Sequence, residues 1–225
     1  MVASNEKNEG QQSIREGVQR IWLVRHGQTA WNEQQRFCGC TDIPLSATGR
    51  RQARWLATCL RSMSIAAIYS SDLNRARETA ELIAKKRQID VVVSPAWREI
   101  AFGTWEGLTY AEVATLFKNQ LGFFTDPAYY APPEGETLTD VLQRVLPALT
   151  FIMQQTHSGD VVVVSHGAVL RGLLCSLLGM PLSHQWQLRL DTGSLSAIDV
   201  SLDKNGSSLT SLATLNRVQS IKRLA

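Results

Sequence analysis

The 225-residue chain is predicted to form an α/β fold, a three-layer sandwich in which helices cover both faces of a mostly parallel sheet. Two observations predict this class. Short apolar runs alternate along the chain with segments that repeat apolar residues at helical spacing. One of the runs consists of four valines, 161–164, and such a run is typical of a strand buried on both faces. A sheet of this kind binds ligands beyond the carboxyl ends of its strands.

The individual elements follow from local patterns. Strands are predicted at 20–25, 66–69, 91–93, 161–164, 194–201 and 208–215, the last two as a hairpin around Lys204-Asn205-Gly206. Helices are predicted after Ser46, over 73–86, around 109–118, after Thr137 and over 168–178. Ser46 has the side chain of an N-cap, and Thr137 with Asp140 resembles a capping box.

The domain organisation is predicted from polarity and aromatic content. Residues 1–19 are polar and are expected to be a flexible tail, whereas 20–225 form one domain. Within it, the segment 103–136 is rich in aromatic residues and punctuated by prolines. We interpret this segment as an inserted lid that sets specificity, or as a small aromatic subcore, and both interpretations are compatible.

Composition excludes several functional classes. There is no export or transit signal and no apolar run of membrane-spanning length, so a cytoplasmic protein without a membrane partner is expected. Lys and Arg number 23 against 20 Asp and Glu, without basic runs, so no nucleic-acid partner is expected. Cys38-Gly39-Cys40 has no second close Cys or His pair, so we expect two reduced loop thiols and neither a metal nor another cofactor.

Two predicted strands end in the same dipeptide. LVRHG covers 23–27 and VVSHG covers 163–167, so His26 and His166 both follow an apolar run. Because the carboxyl ends of parallel strands lie at one edge, the two imidazoles meet if the strands are neighbours. Gly27 and Gly167 are expected to let the backbone turn and approach a ligand closely.

Two imidazoles beside arginines suit a phosphoryl group. Arginine binds phosphate oxygens bidentately, and a neutral imidazole is a competent nucleophile near pH 7. A histidine at a strand end is also a common structural residue, which is the plain alternative at this point. A dinucleotide site is disfavoured because neither strand leads into GxGxxG.

Six segments in order resemble the histidine phosphatase superfamily, the phosphoglycerate-mutase-like proteins with an Arg-His-Gly signature. They are RHGQTAWN (25–32), GCTDIPLSATGRRQA (39–53), IYSSDLNRARETAELIA (68–84), REIAFGTWEGLT (98–109), PEGETLTDVLQRV (133–145) and VVVVSHGAVLRGLL (161–174). The resemblance covers roughly residues 20–215, nearly everything but the tail. It implies a metal-independent phosphomonoesterase that acts on a small phosphorylated metabolite through a phosphohistidine, with a homodimer left open.

The resemblance also implies roles for single residues. His26 would attack phosphorus, while Arg25, Arg75 and His166 would hold the phosphoryl oxygens. Glu99 would protonate the leaving alcohol and later deprotonate the attacking water. The remaining contacts to phosphate or substrate would come from Asn32, Cys38, Gly39 and Gly167. Arg77 and Glu106 are the alternatives to Arg75 and Glu99.

One departure and two alternative functions remain at this stage. Where many members of the family read Arg-x-Gln-Gly, this chain has Arg36-Phe37-Cys38-Gly39, which leaves the substrate's non-phosphoryl part undetermined. Cofactor-dependent mutases of the family carry paired arginines in a longer insertion, whereas 103–136 contains Lys118 and no arginine. A phosphatase is therefore favoured over a phosphoglycerate mutase. A catalytically inactive phosphate-binding module is the other alternative, although every expected catalytic position is filled.

Overall fold

The computed structural model describes residues 18–219 apart from Lys86, His157 and 203–207. The strands are β1 (Val18–Arg25), β2 (Ile65–Ser70), β3 (Val91–Val93), β4 (Asp160–Ser165), β5 (Leu195–Leu202) and β6 (Ser208–Arg217). The helices are α1 (Ala30–Glu33), α2 (Ala47–Leu60), α3 (Asn74–Ala84), α4 (Tyr110–Leu116), α5 (Leu138–Gln155) and α6 (Gly167–Leu177). Short 3₁₀ turns lie at 95–97, 103–105, 122–124 and 182–187.

One six-stranded sheet runs through the described residues in the order β3-β2-β4-β1-β5-β6. The four strands from β3 to β1 are parallel, and β5 and β6 extend the sheet with antiparallel pairing. The mostly parallel sheet is therefore confirmed. In the register of β1 with β4, Arg25 lies opposite Ser165, so the residues that follow these two positions emerge side by side.

Helices cover both faces of the sheet. Val161 and Val163 pack in a cluster with residues of α5 and α6, whereas Val162 and Val164 pack in a second cluster with residues of α2 and α3. All four valines are fully buried. Alternate side chains of a strand point to opposite faces, so this one run contributes to both cores, as a strand covered on both sides requires.

Local capping sets where two of the helices begin. Ser46 accepts a hydrogen bond from the backbone N–H of Gly49 at the start of α2, as predicted. Thr137 and Asp140 form the predicted capping box of α5. The start of α3 differs: its N-cap is Leu73, which makes no side-chain cap, and Ser71 instead accepts from the Leu73 N–H.

The boundary between the predicted N-terminal tail and the first strand differs from the prediction. Strand β1 begins at Val18, two residues before its predicted start, so the predicted tail loses residues 18 and 19 to the sheet. Residues 1–17 and the predicted turn at 204–206 lie outside the described residues. Within the described residues, no helix combines the length and the apolar character that crossing a membrane requires.

The segment 103–136 forms an aromatic subcore. Trp105 and Phe123 are fully buried, and the Trp105 ring stacks on Phe124 with centroids 5.2 Å apart. Phe37 lies outside this segment, earlier in the chain, and its ring packs against Trp105 with centroids 5.7 Å apart. Aromatic contacts of this kind stabilise a segment that is otherwise poor in regular structure.

Candidate active site

The two histidines that follow β1 and β4 lie together in the protein interior. His26 is 3% exposed and His166 is fully buried, and their ring centroids are 5.0 Å apart. Their positions follow from the parallel pairing of the two strands, which places both strand ends at one edge of the sheet. The meeting of the two imidazoles expected from the sequence therefore occurs.

The hydrogen bond of His26 defines which ring nitrogen is available. Its Nδ1 lies 2.7 Å from the carbonyl oxygen of Gly27. A carbonyl oxygen can only accept, so Nδ1 carries the proton of the neutral ring and Nε2 carries the lone pair. Burial, and then the positive charges of Arg75 and Arg25, lower the pKa of His26 well below its ordinary value. His26 therefore presents a neutral, unprotonated Nε2 at physiological pH.

His166 has the opposite tautomer. The Nε–H of Arg75 donates to His166 Nδ1 at 3.3 Å, and a guanidinium has no acceptor, so Nδ1 carries the lone pair. The proton then lies on Nε2, which is buried and has no hydrogen-bond partner among the described residues. Burial lowers the pKa of His166 well below its ordinary value, and the charge of Arg75 adds to the effect. His166 is therefore a neutral donor without an acceptor.

Arg75 organises the site from α3. Its side chain is fully buried, and it donates to the carbonyl oxygens of Gly39 at 2.6 Å and Thr41 at 2.8 Å. Arg75 thus binds the loop after α1 and also determines which nitrogen of His166 carries the proton. Arg77, the alternative named from sequence, is exposed and contacts Asn74 and Glu81 on its own helix. The structure places Arg75, and not Arg77, beside the histidines.

Arg25, a partly buried residue, contributes a second guanidinium. One of its terminal nitrogens donates to the carbonyl oxygen of Leu190 at 2.6 Å, while its Nε is buried without a partner. Burial lowers its pKa, and the carboxylates of Glu99 and Asp191 oppose that effect. An unpartnered donor of this type is costly unless a ligand satisfies it.

Gly167 lies against Arg25 for a steric reason. A Cβ at Gly167 would lie 3.2 Å from Arg25 Cζ, so glycine allows the guanidinium to pack on the start of α6. As the first residue of α6, Gly167 also has a backbone N–H without an acceptor inside the helix. Gly27 was predicted to let the backbone approach a ligand closely, but its surroundings indicate another reason for glycine. A Cβ there would lie 2.5 Å from the Gly49 carbonyl oxygen, so its small size serves the contact with α2.

Glu99 lies at the same helix N-terminus. The side chain is 6% exposed, and its carboxylate accepts from the backbone N–H groups of Ile100, Ala168 and Val169 at 3.0–3.3 Å. Arg144 holds the backbone from the other side by donating to the carbonyl oxygen of Glu99. The carboxylate is thereby fixed at the start of α6, where its partners Ala168 and Val169 follow Gly167 in the chain.

Three of the predicted substrate-binding residues lie on α1 and on the loop that follows it. Asn32 accepts from the backbone N–H of Thr29 through Oδ1, which leaves its amide NH₂ for other contacts. The Cys38 thiol lies 3.8 Å from the Thr41 carbonyl oxygen, and burial raises its pKa to about 11. A thiol with a raised pKa is a poor nucleophile. Gly39 is needed because a Cβ would lie 2.5 Å from the Ile100 carbonyl oxygen.

Glu106, the alternative to Glu99, binds the backbone of the loop at Cys40 and Thr41. Its carboxylate accepts from the backbone N–H groups of Cys40 at 2.7 Å and Thr41 at 2.8 Å, and it also contacts the Thr41 hydroxyl. These bonds clamp the loop that Arg75 holds from the other side. Glu106 therefore supports the loop, while Glu99 lies at the strand ends.

Two further residues near the site were not anticipated from sequence. Thr79 accepts from the Gly27 N–H at 3.1 Å, and its position one turn after Arg75 was an available signal. Arg171 stacks on Trp186 with Cζ 4.8 Å from the ring, and its Nε is buried without a partner. Burial and the nearby charge of Arg25 lower the pKa of Arg171 to about 10.

The arrangement brings a nucleophilic nitrogen into a shell of hydrogen-bond donors. His26 Nε2 offers a lone pair, while Arg25 Nε and His166 Nε2 are buried donors that have no partner in the part of the chain that the structure describes. Such a shell suits an anionic group with an electrophilic centre, and transfer of that group needs positioning more than covalent assistance. Among the described residues, no group of three or more His, Cys, Asp or Glu side chains is arranged to hold a metal ion.

Comparisons with known proteins agree with this chemistry. The family model of the histidine phosphatase superfamily, branch 1, matches residues 21–213. The adenosylcobalamin/alpha-ribazole phosphatase of Escherichia coli K12 is 35% identical over 80% of this chain and 90% of its own length. A probable phosphoglycerate mutase of Proteus mirabilis is 36% identical over 80% of this chain and 84% of its own length.

Solved structures extend the likeness to three dimensions. Mycobacterial glucosyl-3-phosphoglycerate phosphatase in complex with VO3 has a TM-score of 0.80 and 30% identity, over 88% of this chain and 98% of its own. Bacillus stearothermophilus YhfR has the same TM-score and 34% identity, over 89% of this chain and 98% of its own. The similarity therefore spans the sheet and both strand ends.

Proposed function

Because this chain belongs to the histidine phosphatase superfamily, we propose that it is a metal-independent phosphomonoesterase that forms a phosphohistidine on a small phosphorylated metabolite. One observation carries the proposal: the neutral His26 presents an unprotonated Nε2 beside two buried donors that lack an acceptor, Arg25 Nε and His166 Nε2. A phosphoryl group supplies both the electrophile and the missing acceptors. Relatives of the chain named as phosphatases support this activity.

In the first step, His26 Nε2 attacks phosphorus in line with the leaving oxygen. The N–P bond forms as the P–O bond breaks, and Glu99 in its protonated form gives its proton to the leaving alcohol. The Gly27 carbonyl, which accepts from Nδ1–H, stabilises the positive charge that the ring gains. Arg25, Arg75 and His166 hold the phosphoryl oxygens.

In the second step, water replaces the departed alcohol. Glu99, now ionised, takes a proton from the water as its oxygen attacks phosphorus, and the N–P bond breaks. His26 returns to its neutral tautomer, and inorganic phosphate leaves. Asn32 supports both steps through its amide NH₂, since its oxygen is held by Thr29. The N–H of Gly167 adds a backbone donor at the helix start.

The composition of the segment 103–136 favours hydrolysis over mutase activity. The segment 103–136 has no arginine, and Lys118 is its single basic residue. The cofactor-dependent mutases that this chain resembles would grip the glycerate carboxylate with paired arginines in this segment, and this chain has no such pair there. Relatives named as probable phosphoglycerate mutases make the mutase reaction the second candidate for the assay.

The test is phosphate release from a panel of phosphomonoesters in the presence of EDTA. The panel includes phosphoserine, 3-phosphoglycerate, sugar phosphates, bisphosphates and a nucleoside phosphate. Wild-type protein should release phosphate, and vanadate should inhibit the release. Glu99→Gln should lower kcat by about 10²–10⁴-fold because it removes proton transfer. Glu106→Gln, the matched control, should have a much smaller effect on kcat because it alters only the loop clamp.

Each contrary result identifies another function. Loss of activity in EDTA with recovery in magnesium would contradict the metal-independent reaction. Interconversion of phosphoglycerates without phosphate release would favour a mutase. Binding of phosphate esters with no turnover of any of them would favour an inactive binding module.

A further inference from the structure

A large cavity opens beside Arg25. Its volume is about 850 Å³, and its walls come from α1, the start of α2 and the segments that flank β5 and β6. Arg25 and Asn32 belong both to this cavity and to the candidate active site. A substrate whose phosphoryl group contacts Arg25 and Asn32 therefore has this cavity beside it.

Two amide side chains in the cavity wall have a defined orientation. The backbone N–H of Thr29 donates to Asn32 Oδ1 at 3.0 Å, and the backbone N–H of Gln28 donates to Gln52 Oε1 at 2.8 Å. Because a backbone N–H can only donate, the oxygen of each amide is the atom that is bound. The free end of each amide is thus its NH₂ group, a donor.

The charges in the wall are mainly positive. Arg51, exposed on α2, donates to the Thr48 hydroxyl at 2.8 Å and forms no ion pair with the described residues. Arg36 contributes a further guanidinium, which is paired with Glu112 at 3.5 Å. Among the described residues that line the cavity, Asp191 is the single carboxylate.

Asp191 does not offset this surplus of donors. Its carboxylate already accepts from Arg189 at 3.0 Å and from the Asn216 side chain at 3.1 Å. The cavity therefore presents guanidinium and amide donors with few free acceptors. An anionic group with several oxygens, such as a carboxylate or a phosphate, has the complementary chemistry.

The aromatic segment 103–136 does not contribute to this wall, since none of the cavity's described lining residues lies in it. Its large aromatic side chains Trp105 and Phe123 are committed to the subcore. The donors next to the phosphoryl site come instead from α1 and α2.

We propose that this cavity is a subsite for a second anionic group of the substrate, with Arg51 as its main cation and the Asn32 and Gln52 amides as further donors. The inference rests on the proposed phosphatase function. The preferred substrate is accordingly a phosphomonoester that carries a carboxylate or a second phosphate.

The test uses substrate pairs that differ in the second group. 3-Phosphoglycerate is compared with glycerol 3-phosphate, and fructose 1,6-bisphosphate with fructose 6-phosphate, so that the carboxylate and phosphate arms are separate. Arg51→Met should lower kcat/KM for the doubly anionic member of a favoured pair by roughly tenfold, mainly through KM. The singly anionic member and p-nitrophenyl phosphate should be unaffected.

Two variants test whether the effect is specific to the position and to the charge of Arg51. Arg54→Met removes an exposed arginine from the same helix, and Arg54 lines a different cavity, so the ratio within each pair should stay at its wild-type value. Arg51→Lys should restore part of the preference because the charge is kept. An unchanged ratio in Arg51→Met for both pairs would overturn the subsite.

A binding experiment separates the subsite from the proposed reaction. Calorimetric titration of His26→Ala with the same pairs, with and without Arg51→Met, reports on the second anion without turnover. A preference for the doubly anionic member that disappears with Arg51 would support the subsite even if the wild type hydrolysed none of these esters, whereas equal binding of both members would refute it. Hydrolysis of p-nitrophenyl phosphate by the wild type separately tests the phosphatase proposal.

Discussion

His26 and His166 have the same local sequence context and different chemical states. Each follows an apolar strand and precedes a glycine, and both are buried. His26 donates through Nδ1 to a carbonyl oxygen, which leaves a lone pair on Nε2. His166 accepts through Nδ1 from Arg75, which leaves a proton on Nε2. A single hydrogen bond at each ring therefore distinguishes a nucleophile from a donor.

This difference shows that a repeated motif does not imply a repeated role. The two rings share an environment that keeps both neutral, because burial and the arginine charges lower the pKa of each. Only the partner of Nδ1 differs. Changes that remove or exchange these partners should therefore affect the two histidines unequally.

The largest expected difference concerns the covalent intermediate. His26→Ala should lower kcat/KM by about 10⁴-fold or more, since the nucleophile is lost. His166→Ala should lower it by about 10²–10³-fold, as removal of one oxyanion donor does. After a brief reaction with a ³²P-labelled ester, peptide mapping should find acid-labile label on the peptide that contains His26. Label on the His166 peptide would reverse the assignment.

Removing Arg75, the group that sets the His166 tautomer, tests whether the two histidines respond differently. Arg75→Met should lower kcat/KM by about 10²-fold or more, because an oxygen ligand and the fixed donor are lost together. ¹⁵N NMR should show the His166 ring changing its tautomer population while His26 keeps its own. Arg77→Met changes an exposed arginine two residues further along α3, and it should leave activity and spectra close to wild type.

Urea unfolding of Arg75→Met distinguishes this role from a general loss of structure. The buried carbonyl oxygen of Gly39 loses the donor at 2.6 Å, which costs about 1–3 kcal/mol for a group left unsatisfied. The Thr41 carbonyl oxygen lies in an exposed residue and still accepts from the Ile43 N–H, so its contribution is smaller. A folded Arg75→Met protein with an unaltered His166 tautomer would contradict the positioning argument.

The smallest expected effect is on stability at low pH. Both folded pKa values lie below the ordinary value of about 6.5, so the native state binds fewer protons than the unfolded state as pH falls. The stabilisation is complete above pH 6.5 and is lost as pH falls through the folded pKa values, at most about 1.4 kcal/mol per pH unit for each histidine. Urea unfolding between pH 7.5 and 5 should show a shallower decline in His166→Gln than in wild type. Equal slopes would show that His166 titrates alike in both states.

Local patterns in the sequence were sufficient for most of the framework. The valine run 161–164 predicted a strand covered on both faces, and Ser46 predicted the start of α2, because burial and capping depend on nearby residues. The neighbouring placement of His26 and His166 followed from the same reasoning about parallel strands. The choice of Arg75 over Arg77 and of Glu99 over Glu106 came from the resemblance to a family and stays a prediction.

The tertiary structure supplied what depends on residues distant in the chain. The His166 tautomer needs Arg75, 91 positions away, and the small size of Gly27 answers to the Gly49 carbonyl oxygen. Glu106 as a clamp of the loop at Cys40 and Thr41, and the donor-lined cavity beside Arg25, likewise require contacts between separate elements. Strand and helix patterns report periodicity and local propensity, whereas proton positions and cavity walls arise only when packed elements bring donors and acceptors within hydrogen-bonding distance.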